Sequence, residues 1–219
     1  MPRKGSLIRE FPVLIIIALA VSLLIKTFIV QFFYIPSGSM ENTLQIQDRV
    51  AVNKIPFIAN EIKRGDVVVF RDPADWLPIP SDYSTNKVVA KVKEGLVAVG
   101  VLPNPAKQYL VKRVIGVAGD TVICCDKSGG LTINGKKTTE PYIFKGNKPS
   151  ELKFNVTIPE GKIWVMGDHR GSSADSRYHQ DDVNNGMVPT SKVTGRVYAI
   201  IWPIKSIGLV PSHDPLSTK

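Results

Sequence analysis

Three stretches of this chain hold the residue types that move protons: "IPSGSM" at residues 35–40, "YLVKRVIGV" at 109–117 and "GDHRGSSADSR" at 167–177. A serine hydroxyl such as that of Ser39 is a poor nucleophile until a base takes its proton. His169, His179 and His213 are the histidines available, and a Ser39–His169–Asp175 triad can be drawn on paper. Nothing around Ser39 resembles the G-x-S-x-G elbow, and a triad is known by geometry rather than by presence. Ser39 could equally be the N-cap of a helix that begins at Met40. A lysine replaces histidine as base if it is held neutral. That needs a fall of roughly 2–3 units from a reference pKa of about 10.4. Full burial in apolar surroundings supplies up to about 3–5 units. Strand alternation puts Leu110, Lys112 and Val114 on one face, and Val111, Arg113 and Ile115 on the other. Lys112 is then either a lysine turned inward among apolar residues or an edge-strand lysine facing water, a common guard against aggregation. In the third stretch Asp175 and Arg177 could pair, and Ser173 could orient another side chain. The stretch lacks the spacing of an EF-hand loop.

The elements that would position these groups begin with an apolar run. "FPVLIIIALAVSLLI" at 11–25 follows a start containing Arg3, Lys4 and Arg9, and precedes Lys26. A span needs about 20 mostly apolar residues, and a lysine near its end can snorkel to the interface. The sequence predicts a single transmembrane helix over residues 8–27, with Phe28, Phe32, Phe33 and Tyr34 near the outer interface. The basic start puts the N-terminus in the cytoplasm and the rest outside. A cleaved signal peptide competes, with "ALA" at 18–20 as a cleavage-like motif, but strong hydrophobicity continues through Ile25.

The chain has 219 residues, room for an anchor and one domain with a small subdomain. Its net charge of +9 fits nucleic acid or an anionic membrane surface. The basic residues are scattered and carry no nucleic-acid motif, which favours the membrane. Valine-rich runs bounded by turn residues predict strands at 49–55, 65–70, 109–117, 120–125, 131–135, 162–168 and 195–204. The fold class is mainly β: a sandwich or partly closed barrel with a small β subdomain. The predicted organisation is a basic start and anchor at 1–27, an extracytoplasmic β-rich domain at 28–211, and a loose tail at 212–219. Within the domain, 71–108 is an insertion and 126–161 the small subdomain. "KVVAKVKEGLVAVGVL" at 87–102 reads as helix or hairpin. Cys124 and Cys125 read as a pair of thiols, because adjacent cysteines rarely reach disulfide geometry, with an intermolecular bridge or a strained vicinal bridge as the alternatives.

Taken in order, the apolar anchor, "IPSGSM", "GDVVVF", "YLVKRVIGVAGD" and "MGDHRGSSADSR" resemble bacterial type I signal peptidase, a membrane-anchored Ser-Lys protease of the S26 family. The resemblance implies Ser39 as nucleophile and Lys112 as general base. It implies an oxyanion hole from the Ser37 hydroxyl and the Ser39 N–H, with Ser173 orienting Lys112 and Asp175 and Arg177 bracing the site. It implies shallow apolar pockets for small residues at −1 and −3 of the cleavage site, walled by Phe33, Ile35, Pro36, Met40, Val69 and Val111. It implies no metal and no cofactor. The partners it implies are secretory preproteins, membrane lipid and the protein translocon, at the cell membrane and without nucleic acid. His169 stands where many family members carry Asn. A specialised Ser-Lys peptidase with few substrates, or an anchored β domain that binds signal peptides without cutting, are the alternatives.

Overall fold

The computed structural model describes residues 6–55, 62–77 and 108–217. Most of the predicted insertion, including the helix or hairpin expected at 87–102, lies outside them.

Helix α1 (Ser6–Phe28) is 23 residues long and carries Pro12. Its described side chains run from Glu10 to Val21 and are all exposed. Among the described residues no helix is long and apolar enough to cross a membrane. The strands follow as β1 (Val30–Tyr34), β2 (Arg49–Asn53), β3 (Val67–Arg71), β4 (Tyr109–Gly116), β5 (Thr121–Cys124) and β6 (Leu131–Ile133). Then come β7 (Lys136–Lys137), β8 (Phe154–Thr157), β9 (Lys162–Met166), β10 (Val188–Pro189), β11 (Val193–Trp202) and β12 (Gly208–Leu209).

The larger sheet runs β1-β2-β11-β3-β4-β9-β10, with β12 added on β11. Its described pairs are antiparallel. Among the described residues the order starts at β1 and ends at β10, with no pairing between these two strands. The smaller sheet runs β7-β6-β5-β8 and includes β5 (Thr121–Cys124), which lies before the 126–161 expected for a small subdomain. Alternation sorts the core. Val67 and Val69 pack with Ile35, Met40, Leu44, Val50 and Val52. Val68 and Phe70 pack with Leu110, Val114, Ile163 and Val165 on a second side. Each central strand therefore buries both faces, which is why β3 reads as an unbroken valine run. Ile115, Val122, Leu131, Phe154 and Trp164 fill a third cluster that includes residues of both sheets.

Every predicted strand is present, with ends shifted by one to a few residues: β3 runs on to Arg71 and β11 begins at Val193. β1 differs from expectation. "VQFFY" pairs with β2, Phe33 opposite Val50, so Phe33 turns inward against Tyr109 while Phe32 and Tyr34 stay exposed. Over its described part the tail is docked rather than loose. Thr139 N–H donates to Pro215 O at 2.8 Å, His213 N–H to Gly65 O at 3.3 Å, and Pro215 is buried. Leu216 packs on the third cluster, so apolar burial offsets the ordering of the chain. A disulfide joins Cys124 to Cys125 at the end of β5, where the sequence predicts two thiols.

Candidate active site

After β1 the chain is still held to the strand layer. Ile35 N–H donates to Asp48 O and Gln47 N–H to Ile35 O, both at 2.9 Å. Pro36 cannot donate, and one 3₁₀ turn follows over Gly38–Met40. It buries Ser39 and Met40. Ser39 therefore lies inside the turn. The capping position belongs to Ser37, which is exposed, extended, and makes no side-chain cap bond.

Lys112 sits in the middle of β4, between β3 and β9, with Val68 directly across. It is 4% exposed, which removes the alternative of an edge lysine facing water. Its Nζ lies 2.7 Å from Ser39 Oγ, hydrogen-bonded to it. Burial pulls the Lys112 ammonium down to about 8. Asp175 and Asp168 pull it back up, and Arg177 pushes it further down. At pH 7 about one Lys112 in ten is then neutral, enough for a base in fast proton exchange.

The loop 167–177 closes over this pair. Gly167 makes the close approach possible, since a Cβ there would collide with the Ser39 carbonyl and the Ser173 side chain. His169 N–H donates to Ser39 O at 3.1 Å. The fully buried Asp175 carboxylate accepts from Gly167 N at 2.9 Å, Arg177 Nε at 2.8 Å and Arg177 Nη2 at 2.9 Å. Ser173 Oγ also donates to Asp175, at 2.7 Å. Ser173 therefore spends its proton on Asp175 rather than on Lys112, because its extended backbone aims the hydroxyl at a carboxylate two residues on.

The drawn triad is not assembled. His169 Nδ1 faces Glu41 Oε2 at 3.0 Å and its ring stacks on Phe144 at 4.1 Å. Asp175 is committed to Arg177, Ser173 and Gly167. His179 stacks on Trp76, and His213 lies against Tyr142. Of the six predicted wall residues, Ile35, Met40 and Val69 are buried in one cluster, with Phe33 and Val111 packed against it. Pro36 is exposed and outside that cluster.

Sequence reasoning missed the deeper supports. Arg113 is buried and holds Asp168 through Nε–Oδ1 at 2.8 Å and Nη2–Oδ2 at 2.7 Å. Thr43 Oγ1 donates to the same carboxylate at 2.5 Å. Arg113 also donates to Gly65 O and lies 4.1 Å over the Tyr142 ring. Arg170 pairs with Glu140 at 2.5 Å and donates to Gly167 O at 3.0 Å. Arg113 sharing a face with Val111 and Ile115 was the usable signal, since a buried guanidinium demands an acid. Nothing local marks Glu140 or Glu41. Among the described residues no group of three His, Cys, Asp or Glu side chains gathers as metal ligands.

A buried amine of lowered basicity touching a serine hydroxyl, inside a fixed polar loop and beside an apolar cluster, can activate the serine for acyl transfer. The family model described as "Signal peptidase, peptidase S26" matches residues 8–202. A probable signal peptidase I from Mycobacterium leprae is 38% identical, over 96% of this chain and 82% of its own. Signal peptidase I of Mycobacterium tuberculosis H37Rv is 38% identical over 98% and 79%. Signal peptidase I T of Bacillus subtilis is 30% identical over 94% and 91%.

Proposed function

The chain belongs to the signal peptidase family, peptidase S26, and is a serine peptidase; from that premise we propose that it removes signal peptides from secretory preproteins with Ser39 as nucleophile and Lys112 as base. The contact of 2.7 Å between Lys112 Nζ and Ser39 Oγ, with burial lowering the lysine, carries this reading. Neutral Lys112 takes the Ser39 proton as the hydroxyl oxygen attacks the carbonyl carbon after the −1 residue. The tetrahedral oxyanion accepts from the Ser39 backbone N–H and the Ser37 hydroxyl. The Lys112 ammonium then protonates the departing amine. Neutral again, it draws a proton from the water that hydrolyses the acyl-serine. Losing one oxyanion donor typically costs about 10²–10³ in turnover. Phe33 and Val111, packed on the buried Ile35, Met40 and Val69, form the apolar wall on which small −1 and −3 side chains rest, with Pro36 at its edge. Asp175 and Arg177 fix the polar side, and Ser173 acts on Lys112 through Asp175.

Helix α1 is the anchor in this reading. Its 23 residues rise about 34 Å at 1.5 Å each, against a hydrocarbon core of about 30 Å. Phe11, Leu14, Ile16 and Leu19 are exposed on it. The basic start keeps the N-terminus cytoplasmic and leaves the β domain outside the cell membrane. Membrane lipid is then a partner from the protein side as well. Trp202, Ile204, Ile207 and Leu209 are exposed, and Trp202 lies opposite Arg49, at the end of β1 that leads to Ser39. The translocon is a further expected neighbour.

The test uses detergent-solubilised wild type, Ser39→Ala and Lys112→Ala with a preprotein bearing an Ala-x-Ala site, the new N-terminus being read by mass spectrometry. Cleavage after the second Ala, lost in both folded variants, is the expected result. Capture of the precursor without product by wild type would make the chain a binding domain instead.

A further inference from the structure

The turn that carries Ser39 is a single 3₁₀ turn, and such short turns hold themselves poorly. Ser37 lends no side-chain cap. Outside the turn, His169 N–H reaches Ser39 O at 3.1 Å. The Glu41 carboxylate folds back over Gly38 and faces His169 Nδ1 at 3.0 Å. The His169 ring is itself fixed by stacking on Phe144, nearly parallel at 16°.

Gly38 explains how Glu41 gets there. Its backbone does not lie in the left-handed region, so conformational freedom is not its contribution. A Cβ at position 38 would lie 2.9 Å from Glu41 Cδ and 3.0–3.1 Å from both carboxylate oxygens. The glycine leaves the space that the carboxylate fills. The three nearest atoms all belong to the Glu41 carboxyl group, so an alanine there meets that side chain first.

We propose that Glu41 is a positioning residue for Ser39: its carboxylate, seated on Gly38 and bonded to His169, clamps the nucleophile turn to the loop that braces Lys112. This inference rests on Ser39 being the nucleophile. The clamp acts on the placement of Ser39 Oγ against Lys112 Nζ rather than on substrate. A displacement of about 1 Å at a reacting atom can cost about 10²-fold in rate.

The test compares kcat and KM of the full-length enzyme in detergent for wild type, Glu41→Ala, His169→Ala, His169→Asn, Gly38→Ala and the Gly38→Ala/Glu41→Ala pair. Melting temperatures are read in parallel. Glu41→Ala and His169→Ala should each lower kcat about tenfold, with KM nearly constant and the melting temperature held. His169→Asn keeps an N–H for the carboxylate and should recover most of the rate. Gly38→Ala should match Glu41→Ala, and the pair should be no slower than Glu41→Ala alone, because the methyl group then has nothing to displace. Multiplying losses in the pair, or a wild-type kcat in Glu41→Ala, would overturn the clamp. Cleavage that survives in Ser39→Ala would instead sink the nucleophile assignment on which it rests.

Discussion

Lys112 and Arg113 are neighbours on one strand, both buried, and the protein treats them in opposite ways. Arg113 is 1% exposed and fully compensated, with a two-pronged bond to Asp168, a carbonyl, a hydroxyl and an aromatic face. Lys112 is 4% exposed, and among the described residues no carboxylate salt-bridges it. Asp175, which could have done so, is committed to Arg177. A compensated cation is a strut, because it never has reason to change state. An uncompensated one is poised to lose its proton. Alternation does the sorting, since consecutive residues of a strand face different surroundings.

The contrast can be broken most severely by exchanging the two chemistries. Lys112→Arg keeps the charge and loses the base, because a guanidinium does not deprotonate at any working pH. We expect a fall of about 10³–10⁴ in kcat/KM, equivalent to about 4–5.5 kcal/mol, with the fold retained by circular dichroism. On the strut side, Asp168→Ala should cost about 3–5 kcal/mol of stability by stranding the Arg113 guanidinium. Adding Arg113→Met should return part of that loss in denaturant titration. A double variant that is less stable than Asp168→Ala would show the pair is not the strut we describe.

Leaving Lys112 uncompensated has an energetic signature that runs with pH. Its folded pKa of about 8 lies below the unfolded value, so between about 8 and 10.5 the unfolded chain binds more protons. Stability therefore rises with pH across that window, and the full penalty of about 3 kcal/mol applies below it. Lys112→Met should be more stable than wild type at pH 7 by up to that amount, and the advantage should vanish by about pH 10.5. An advantage independent of pH would mean ordinary repacking. The smallest expected effect is on the rate profile. The acid limb of kcat/KM should have its midpoint near 8. Asp175→Asn removes the largest influence raising Lys112, so the limb should move to lower pH. A move to higher pH would contradict the assigned role of Asp175.

How much of this could be read in the chain depends on distance along it. The strands at 67–71 and 109–116 were legible because valines and isoleucines buried on both faces leave a composition signal, and 193–202 was legible from its β-branched and aromatic run although only its first half is well buried. The face of Lys112 was legible from alternation, but its burial was not, since edge and centre of a sheet look alike in sequence. The pairing of Asp175 with Arg177 is two residues long and visible. That of Arg113 with Asp168 spans 55 positions and that of Arg170 with Glu140 spans 30. Such partners are set by which strands pair, and no local pattern encodes it. β1 was hidden for another reason. Its aromatic residues also suit a membrane interface, and pairing with β2 decides between the two. The tail looked loose because its few apolar residues find their partners only in the folded body.

The join between α1 and β1 is a single residue, Ile29, whose carbonyl also accepts from Lys54 N–H at 2.9 Å. β1 then leads to Ser39 with its ladder intact. With α1 as the anchor, the linkage would have little slack, one residue tied to Lys54. On the proposed reading the hydroxyl would be carried at a set height above the lipid, as on a rod rather than a tether. A precursor would then be measured by depth: the bond that is cut is the one its own apolar helix lifts to that height. Small residues at −1 and −3 would select among the bonds near that level, and an identical motif presented a few ångströms too deep would pass uncut.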